Sequence, residues 1–481
     1  MKKILTALCL MCFMAFTLVF TGCSPKGLTD NPPTDANVTS NGGMTVVKGD
    51  YLYYVNGYLD ETTLGKHDNK FGEVSHTGIY RTKLVDGNIQ KDEEGFVVNT
   101  ELVVPKVVGF DNGGFYIIDD YIYYTTPYMN LDRDGNLQSD RVEFRRININ
   151  GTEDDLIYVT SEAQDNLNWS LYKVNGTVYL ATYVGNKIII VNTSNDAIVS
   201  TIENVTSYAF LKETEYKTGK ELNSEAHKYI YYTRDINDTD NANGNQKGNV
   251  ICKVNIETGE ITKIEMSRDF TYTIKDITTD NIYYLKKNAI YSGYNLMYTK
   301  GINLGWSISS ETQLGFTEYN SYYVCDFGTN LVIASNSNGT YLLENGYQTA
   351  KKVSTTEKTI LKVFGGYAYY ASSNVLNRFA VRGEVVDNEI ESEVVTAENK
   401  THIITNGNYI DFDNQRVYVY AEYTSADSTK NMYLNYISSS NEGEVEQRFV
   451  GKFNDSHIPA LPEQPEPEHE DETVEKIPHI D

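Results

Sequence analysis

Cysteine is scarce in this chain, with five in 481 residues. Cys9 and Cys12 fall in an apolar leader, Cys23 closes it, and only Cys252 and Cys325 remain in the body. Those two fall in strands expected two repeat units apart, beyond the roughly 6 Å Cα separation that a disulfide tolerates. A disulfide framework is excluded, and both thiols are expected as small buried hydrophobes. The seven histidines (His67, His76, His227, His402, His457, His469 and His479) show no zinc-ligand spacing. His67 and His76 share a loop with Asp68 and Glu73, but no strand or helix there aligns them. Also missing are a Gly-x-Ser-x-Gly elbow, a phosphate-cradling Gly-Lys-Ser/Thr loop and a dinucleotide fingerprint. Positive charge is the minority sign, with 41 Lys and Arg against 66 Asp and Glu. Removing residues 1–22, which carry two Lys and no acid, leaves a net charge of −27. Such a body repels nucleic acid and bare anionic lipid, so no nucleic-acid partner is expected. Helical periodicity is almost absent outside the leader, which excludes helical solenoids.

What is present is one strand written many times. Tyr121-Ile122-Tyr123-Tyr124-Thr125 has close copies at Tyr51–Val55, Tyr229–Thr233 and Asn281–Leu285. Looser copies occur at Val178–Thr182, Leu331–Ser335, Tyr367–Ala371 and Arg416–Tyr420. β-Branched and aromatic residues at this density fit a pleated, buried strand. Around each copy the pattern is apolar strand, turn, aromatic strand, hairpin, apolar strand, turn, final strand. In the second unit Phe115–Ile118 ends at Asp119-Asp120, Tyr121 to Thr126 follows, and Val142 to Ile149 turns at Asn150-Gly151 into Leu156 to Val159. Asn-Gly between alternating runs is a strong hairpin signal. The fourth unit repeats it with Val250 to Ile256, Glu257-Thr258-Gly259 and Glu260 to Ile264. In the first, Ile79 to Val85, Asp86-Gly87 and a strand near Leu102 play the same parts.

Four antiparallel strands repeated radially make a β-propeller. The expected fold is all-β, a single propeller with eight four-stranded blades at 44–104, 114–159, 168–202, 205–265, 272–315, 321–353, 360–395 and 402–450. Tyr291 to Thr317 gives no clean fourth strand, so seven blades is the alternative. The propeller occupies 44–453. A tether at 23–43, rich in Pro, Asn, Thr, Asp and Gly, precedes it and lacks the apolar residues to pack. A tail at 454–481 follows, with Pro459, Pro462, Pro465, Pro467 and the acidic run Glu463 to Glu475, and reads as a solvated segment.

The leader spans 1–22, with Lys2 and Lys3 ahead of an uncharged apolar run from Ile4 to Phe20. That run is shorter than the roughly 20 residues a spanning helix needs. Phe20-Thr21-Gly22-Cys23 resembles the lipobox of bacterial lipoproteins, with Phe20 where that family has Leu. The resemblance implies cleavage before Cys23 and acyl groups on its thiol, placing the protein on the extracytoplasmic face of the membrane without spanning it. An ordinary signal peptide with a chance cysteine is the other reading.

A second resemblance rests on Asn41-Gly42-Gly43 through Gly49-Asp50-Tyr51-Leu52-Tyr53-Tyr54-Val55-Asn56. Its phrase returns in Asn112-Gly113-Gly114-Phe115 through Asp120–Thr125, and Ile79–Gly87 supplies its second half. These stretches resemble bacterial propellers of the DUF5050 type, themselves likened to the propeller of LDL-receptor-related proteins. The likeness covers units one, two and four and is faint in units three, six, seven and eight. It implies a fold and a surface setting, with no established reaction.

One segment has the composition of a cation site. Asn130, Asp132, Asp134 and Asn136 space oxygen side chains two apart around Gly135, and calcium takes six to eight oxygens. Arg141 stands where an EF-hand carboxylate would be, which leaves Glu143 or a neighbouring loop to complete a shell. A polar hairpin tip is the competing reading. No cofactor is otherwise required. Most of the 39 tyrosines recur at one strand position, which packing between blades explains before sugar stacking does. Trp169 and Trp306 stand in unlike contexts. No catalytic residue is assigned. The expected function is a non-catalytic, lipid-anchored surface propeller that binds an extracellular protein, peptide or glycan. The alternatives are an enzyme degrading extracellular polysaccharide or peptide at an axial site, and a scaffold in an envelope assembly.

Overall fold

A computed structural model describes the chain from 45 to 449. The exceptions are 56–77, 94–97, 99, 105, 107, 109–113, 129–140, 162–166, 212–224, 237–247, 267–269, 279–280, 289–295, 302–310, 316–320, 327–329, 345–349, 365, 373–374, 395–399, 404–408, 412–415, 425–429 and 439–445. From 400 onward the description is of backbone alone. The proposed leader, the tether, the tail, Cys23 and the Asn130–Asn136 segment all lie outside the described residues.

Each repeated strand is the second of an antiparallel sheet, flanked by its sequence neighbours. Consecutive sheets span 45–104, 116–159, 168–202, 205–266, 270–315, 321–354, 360–394 and 400–449, and among the described residues no strand crosses from one to another. The first seven have described side chains. The eighth, in backbone, lies between the seventh and the first. Each is a four-stranded meander; the first and last carry one additional short strand. The segment expected to lack a clean fourth strand supplies two, Leu296–Gly301 and Thr312–Gly315. First strands of neighbouring sheets lie together, as Thr45–Lys48 does against Tyr116–Ile118 and Val205–Ala209 against Phe270–Ile277. First strands therefore line the axis and fourth strands the rim. The chain is a β-propeller with four-stranded blades.

The turns follow their sequence. Asp86 (φ 50°) and Gly87 (φ 73°) both take the left-handed region that a two-residue type I′ hairpin requires. Asn175 (φ 50°) and Gly176 (φ 83°) do the same in the third sheet. Among the described residues one helical turn occurs, α1 (Glu225–Lys228), leading into Tyr229–Asp235 with His227 buried on it.

The core sits between sheets. Tyr53, Tyr54, Tyr80, Tyr124, Tyr172, Tyr232, Tyr283, Tyr284 and Tyr369 are among its largest fully buried side chains, as the packing reading of the tyrosines expected. One cluster joins Ile117, Ile122, Tyr124, Ile147 and Ile149 of the second sheet to the first. Another joins Tyr116, Tyr123, Val142 and Phe144 to Trp169, Leu171 and Leu180 of the third. Residues that alternate along a strand therefore belong to different joints, because side chains point alternately to the two faces. Cys252 is buried as a thiol; the side chain of Cys325 lies outside the described residues.

Candidate functional site

In every sheet the second strand ends, and the third begins, at one end of the propeller. Three long connections leave from there, bounded by the pairs Val55–Ile79, Pro127–Val142 and Asp235–Asn249. Two of their necks are pinned. At the second sheet, Tyr128 N donates to Arg141 O at 2.9 Å, and the Arg141 guanidinium lies 4.7 Å from the Tyr128 ring centroid. Arg141 Nε also donates to Thr160 O at 2.6 Å, tying the neck to the next connection. At the fourth sheet, Asn249 Nδ2 donates to Tyr272 O and Asn249 Oδ1 accepts from Tyr272 N, both at 2.8 Å. The amide there imitates a strand partner and fixes the fourth sheet to the fifth.

The calcium candidates Asn130, Asp132, Asp134 and Asn136 belong to the connection closed by Tyr128 and Arg141, outside the described residues. Glu143, offered to complete their shell, accepts from Arg145 Nη1 at 2.9 Å. A cation would have to draw Glu143 away from that guanidinium. Among the described residues no group of three or more His, Cys, Asp or Glu is placed to hold a metal ion.

Two kinds of charged joint lie below this end. The first faces backward, from the second sheet to the first. Asp154 accepts from Tyr124 Oη at 2.7 Å and Arg145 Nε at 3.0 Å, and pairs with Lys106 Nζ at 2.9 Å. Burial alone would raise the Asp154 pKa, but these three donors outweigh it and hold the carboxyl below 3.8. Burial, with the Asp154 charge beside it, pushes the Tyr124 hydroxyl well above 10.0. Near neutrality this carboxylate is an acceptor with three donors, fixed and ionised.

The second kind faces forward and recurs. Arg81 stands opposite Tyr53, Arg146 opposite Tyr123 and Arg378 opposite Tyr369 in the strand register. Each guanidinium covers the tyrosine two residues earlier: Tyr51 at 4.6 Å, Tyr121 at 5.2 Å and Tyr367 at 3.7 Å. Each meets a fourth-strand carboxylate, Glu101 at 2.8 Å, Asp155 at 3.3 Å and Glu393 at 2.9 Å. Lys253 takes the same place over Tyr229 at 3.9 Å. The forward tyrosine or cation then bonds the main chain of the next sheet. Tyr53 Oη donates to Ile149 O at 3.4 Å, and Arg146 Nη1 to Thr193 O at 2.7 Å.

The fifth sheet holds a more enclosed pair. Lys286 Nζ meets Glu311 Oε2 at 2.8 Å with both side chains under a tenth exposed. The rings of Phe270, Tyr298 and Tyr272 lie 4.7, 5.3 and 5.7 Å from the ammonium. Burial, with Glu311 nearby, raises the pKa of Tyr284. None of Lys106, Arg145, Asp154, Lys286 or Glu311 was marked by sequence reasoning. The forward cations had a faint signal, an Arg or Lys at one third-strand position, blurred because the connection ahead of it changes length in every unit. Trp169 proves to be a joint residue, with ring centroids 4.7 Å from Tyr116 and 5.4 Å from Phe144.

No family model matches the chain, and no curated protein matches it. Several solved structures are similar to it over much of its length. The β-propeller domain of the Trilobed protease from Pyrococcus furiosus is 11% identical, with a TM-score of 0.37, covering 89% of this chain and 98% of that one. A eukaryotic initiation factor is 12% identical, with a TM-score of 0.42, covering 89% of this chain and 93% of that one. A prolyl endopeptidase is 10% identical, with a TM-score of 0.39, covering 85% of this chain and 55% of that one. The chain thus spans about half the length of that peptidase, and likewise of a puromycin hydrolase, of which 54% is covered.

Proposed function

We propose that this is a lipid-anchored surface protein whose propeller binds an extracellular protein or glycan without catalysing a reaction. The observation that supports it is the set of long connections leaving one end of the ring, one neck tied by Arg141 to the connection that follows the second sheet and another tied by Asn249 to the fifth sheet. Loops on a fixed scaffold are where propellers and other rigid folds carry recognition. The charged groups beneath that end are held in mutual pairs, as a stable platform requires. The expected anchor is Cys23, by the lipobox resemblance, and a DUF5050-type surface role agrees with it.

Replacing 56–77, 129–140 and 237–247 together by short Asn-Gly turns tests the binding end. Cosedimentation with an envelope preparation should fall at least tenfold while the melting temperature holds. Periodate treatment of the envelope should abolish parental binding if the ligand is a glycan, and protease treatment if it is a protein. Undiminished binding by the triple replacement would overturn the reading, and steady release of soluble fragments from the envelope would favour the enzyme. For the anchor, Cys23→Ala should move the protein from the membrane fraction to the medium or leave uncleaved precursor. For calcium, excess ion at a hundred times its dissociation constant should stabilise the protein by about 2.7 kcal/mol. That gain should vanish in the Asp132→Ala, Asp134→Ala double variant.

A further inference from the structure

The third sheet differs from its neighbours at the end where the long connections leave. Its two connections there are two residues each, Gly185-Asn186 and Glu203-Asn204. Gly185 (φ 54°) and Asn186 (φ 60°) make the first a tight type I′ turn. Val205 N donates to Asn186 O at 3.1 Å and ties the second connection to it. On one side stands the neck of Tyr128 and Arg141, and on the other that of Asp235 and Asn249. The floor between them carries a ladder of rings. Phe210 is buried, the Tyr208 ring lies 4.8 Å from it, and Tyr183 stacks on Tyr208 at 4.4 Å with 27° between the planes. Tyr183 is half-buried, and among the described residues no ring other than Tyr208 lies on it. It also stands one residue past the repeated strand Val178–Thr182, so it is not one of the tyrosines whose recurrence marks packing between blades.

Donors and acceptors surround this outer ring. Tyr183 Oη donates to Asn186 Oδ1 at 3.0 Å, which leaves the exposed Asn186 amide nitrogen as a donor and Tyr183 Oη as an acceptor. Lys187 Nζ and Glu203 Oε1 pair at 3.3 Å while 39% and 61% exposed, so the floor offers both signs and no net charge. Asn168 Nδ2 donates to Tyr208 Oη at 2.7 Å and fixes the second ring. A protein partner would want an apolar anchor, but the exposed large hydrophobic side chain of this sheet, Ile198, follows the Asn192–Ala197 turn at the opposite end. An anionic polymer would meet an acidic body. On the reading that this is the binding end, we infer that the floor takes a neutral glycan. One pyranose stacks its C–H face on Tyr183 and presents neighbouring hydroxyls to Asn186, Lys187 and Glu203. Each sugar hydroxyl both donates and accepts, which matches the mixture of donors and acceptors in these side chains.

Calorimetry on the full chain tests this, with hexasaccharides of glucose, mannose or N-acetylglucosamine as neutral probes and oligogalacturonate of the same length as the acidic one. At least one neutral probe should bind, and the acidic one should not. Tyr183→Ala should weaken that binding about tenfold, as loss of a stacking ring does. Asn186→Gly accepts the same φ and should weaken it about threefold. Where Tyr183→Ala fails to fold, Asn186→Gly decides. Tyr208→Phe keeps the ladder and should bind within about twofold of the parent. Failure of every neutral probe to bind, binding of the acidic probe as tight as any neutral one, or parental affinity in these two floor variants would overturn the glycan floor. Envelope cosedimentation separates this from the broader reading. If the triple replacement of the long connections loses the envelope while Tyr183→Ala and Asn186→Gly keep it, the end binds through its connections and the floor does not.

Discussion

The two faces of the second blade are made by residues that are neighbours in sequence, and they work differently. Tyr124 and Arg145 turn backward into a network that converges on one carboxylate, Asp154. Tyr123 and Arg146 turn forward into an apolar joint with Phe144 and Trp169, closed by a bond to Thr193 O. The backward face adds ionisation at one site to the apolar packing of Ile117, Ile122 and Ile147 against the first sheet. The forward face depends on area and shape, with one cation at its margin. A strand of alternating aromatics can serve both because its period of two separates them completely.

Tyr123→Ala should break the forward face most severely. The side chain is 4% exposed, and its loss should cost about 3–5 kcal/mol in urea unfolding. A variant that melts like the parent would show that the joint tolerates a void there.

Alkali and acid should separate the two kinds of interaction. Burial, opposed by the Arg81 guanidinium, pushes the Tyr53 hydroxyl from 10.0 to about 12. A pKa raised on folding means that its stability is complete below pH 10 and is lost as pH rises toward 12. Asp154 has the opposite sign: its folded pKa is lowered, so its contribution is present above 3.8 and is lost as pH falls through the folded value. Melting temperature against pH should fall at both ends, and Asp154→Asn should shrink only the acid limb.

At neutral pH, Asp154→Ala strands three donors. Because Asp154 and Lys106 are 26% and 34% exposed, solvent screens part of the penalty, and about 2 kcal/mol is expected. The smallest effect should come from Arg146→Met, which keeps a stem over Tyr121 and gives up the Thr193 bond, about 1 kcal/mol. Combining Tyr123→Ala with Asp154→Ala sharpens the comparison. Losses that add to within roughly 0.5 kcal/mol would confirm that the faces are independent, and a larger coupling would deny it.

The forward face was legible in the sequence and the backward one was not, for a physical reason. Tyr123 announces itself because the same residue is needed at the same register in blade after blade. The turns at Asp86-Gly87 and Asn150-Gly151 are legible because few residues accept φ > 0. Asp154 is reached by Lys106 across 48 positions and by Arg145 beside a bulge between Phe144 and Arg145, so no fixed spacing marks the set. Lys286 and Glu311 likewise meet only because two hairpins bring them together. The same limit holds for the end connections, whose unequal lengths hide the recurrence of the cation that follows them.

Across the joints, the partner of a side chain is repeatedly a peptide group: Ile149 O, Thr193 O, Leu211 O from Ser170, Lys358 O from Ser335, and both main-chain groups of Tyr272 from Asn249. A carbonyl is present whatever amino acid bears it, so mutation at the accepting position leaves the bond intact. Copies of a duplicated blade could therefore drift apart in composition while each still fitted the next. The uneven repetition of this sequence, clear in its first, second and fourth units and faint in its third, sixth, seventh and eighth, is the pattern such tolerance would leave behind.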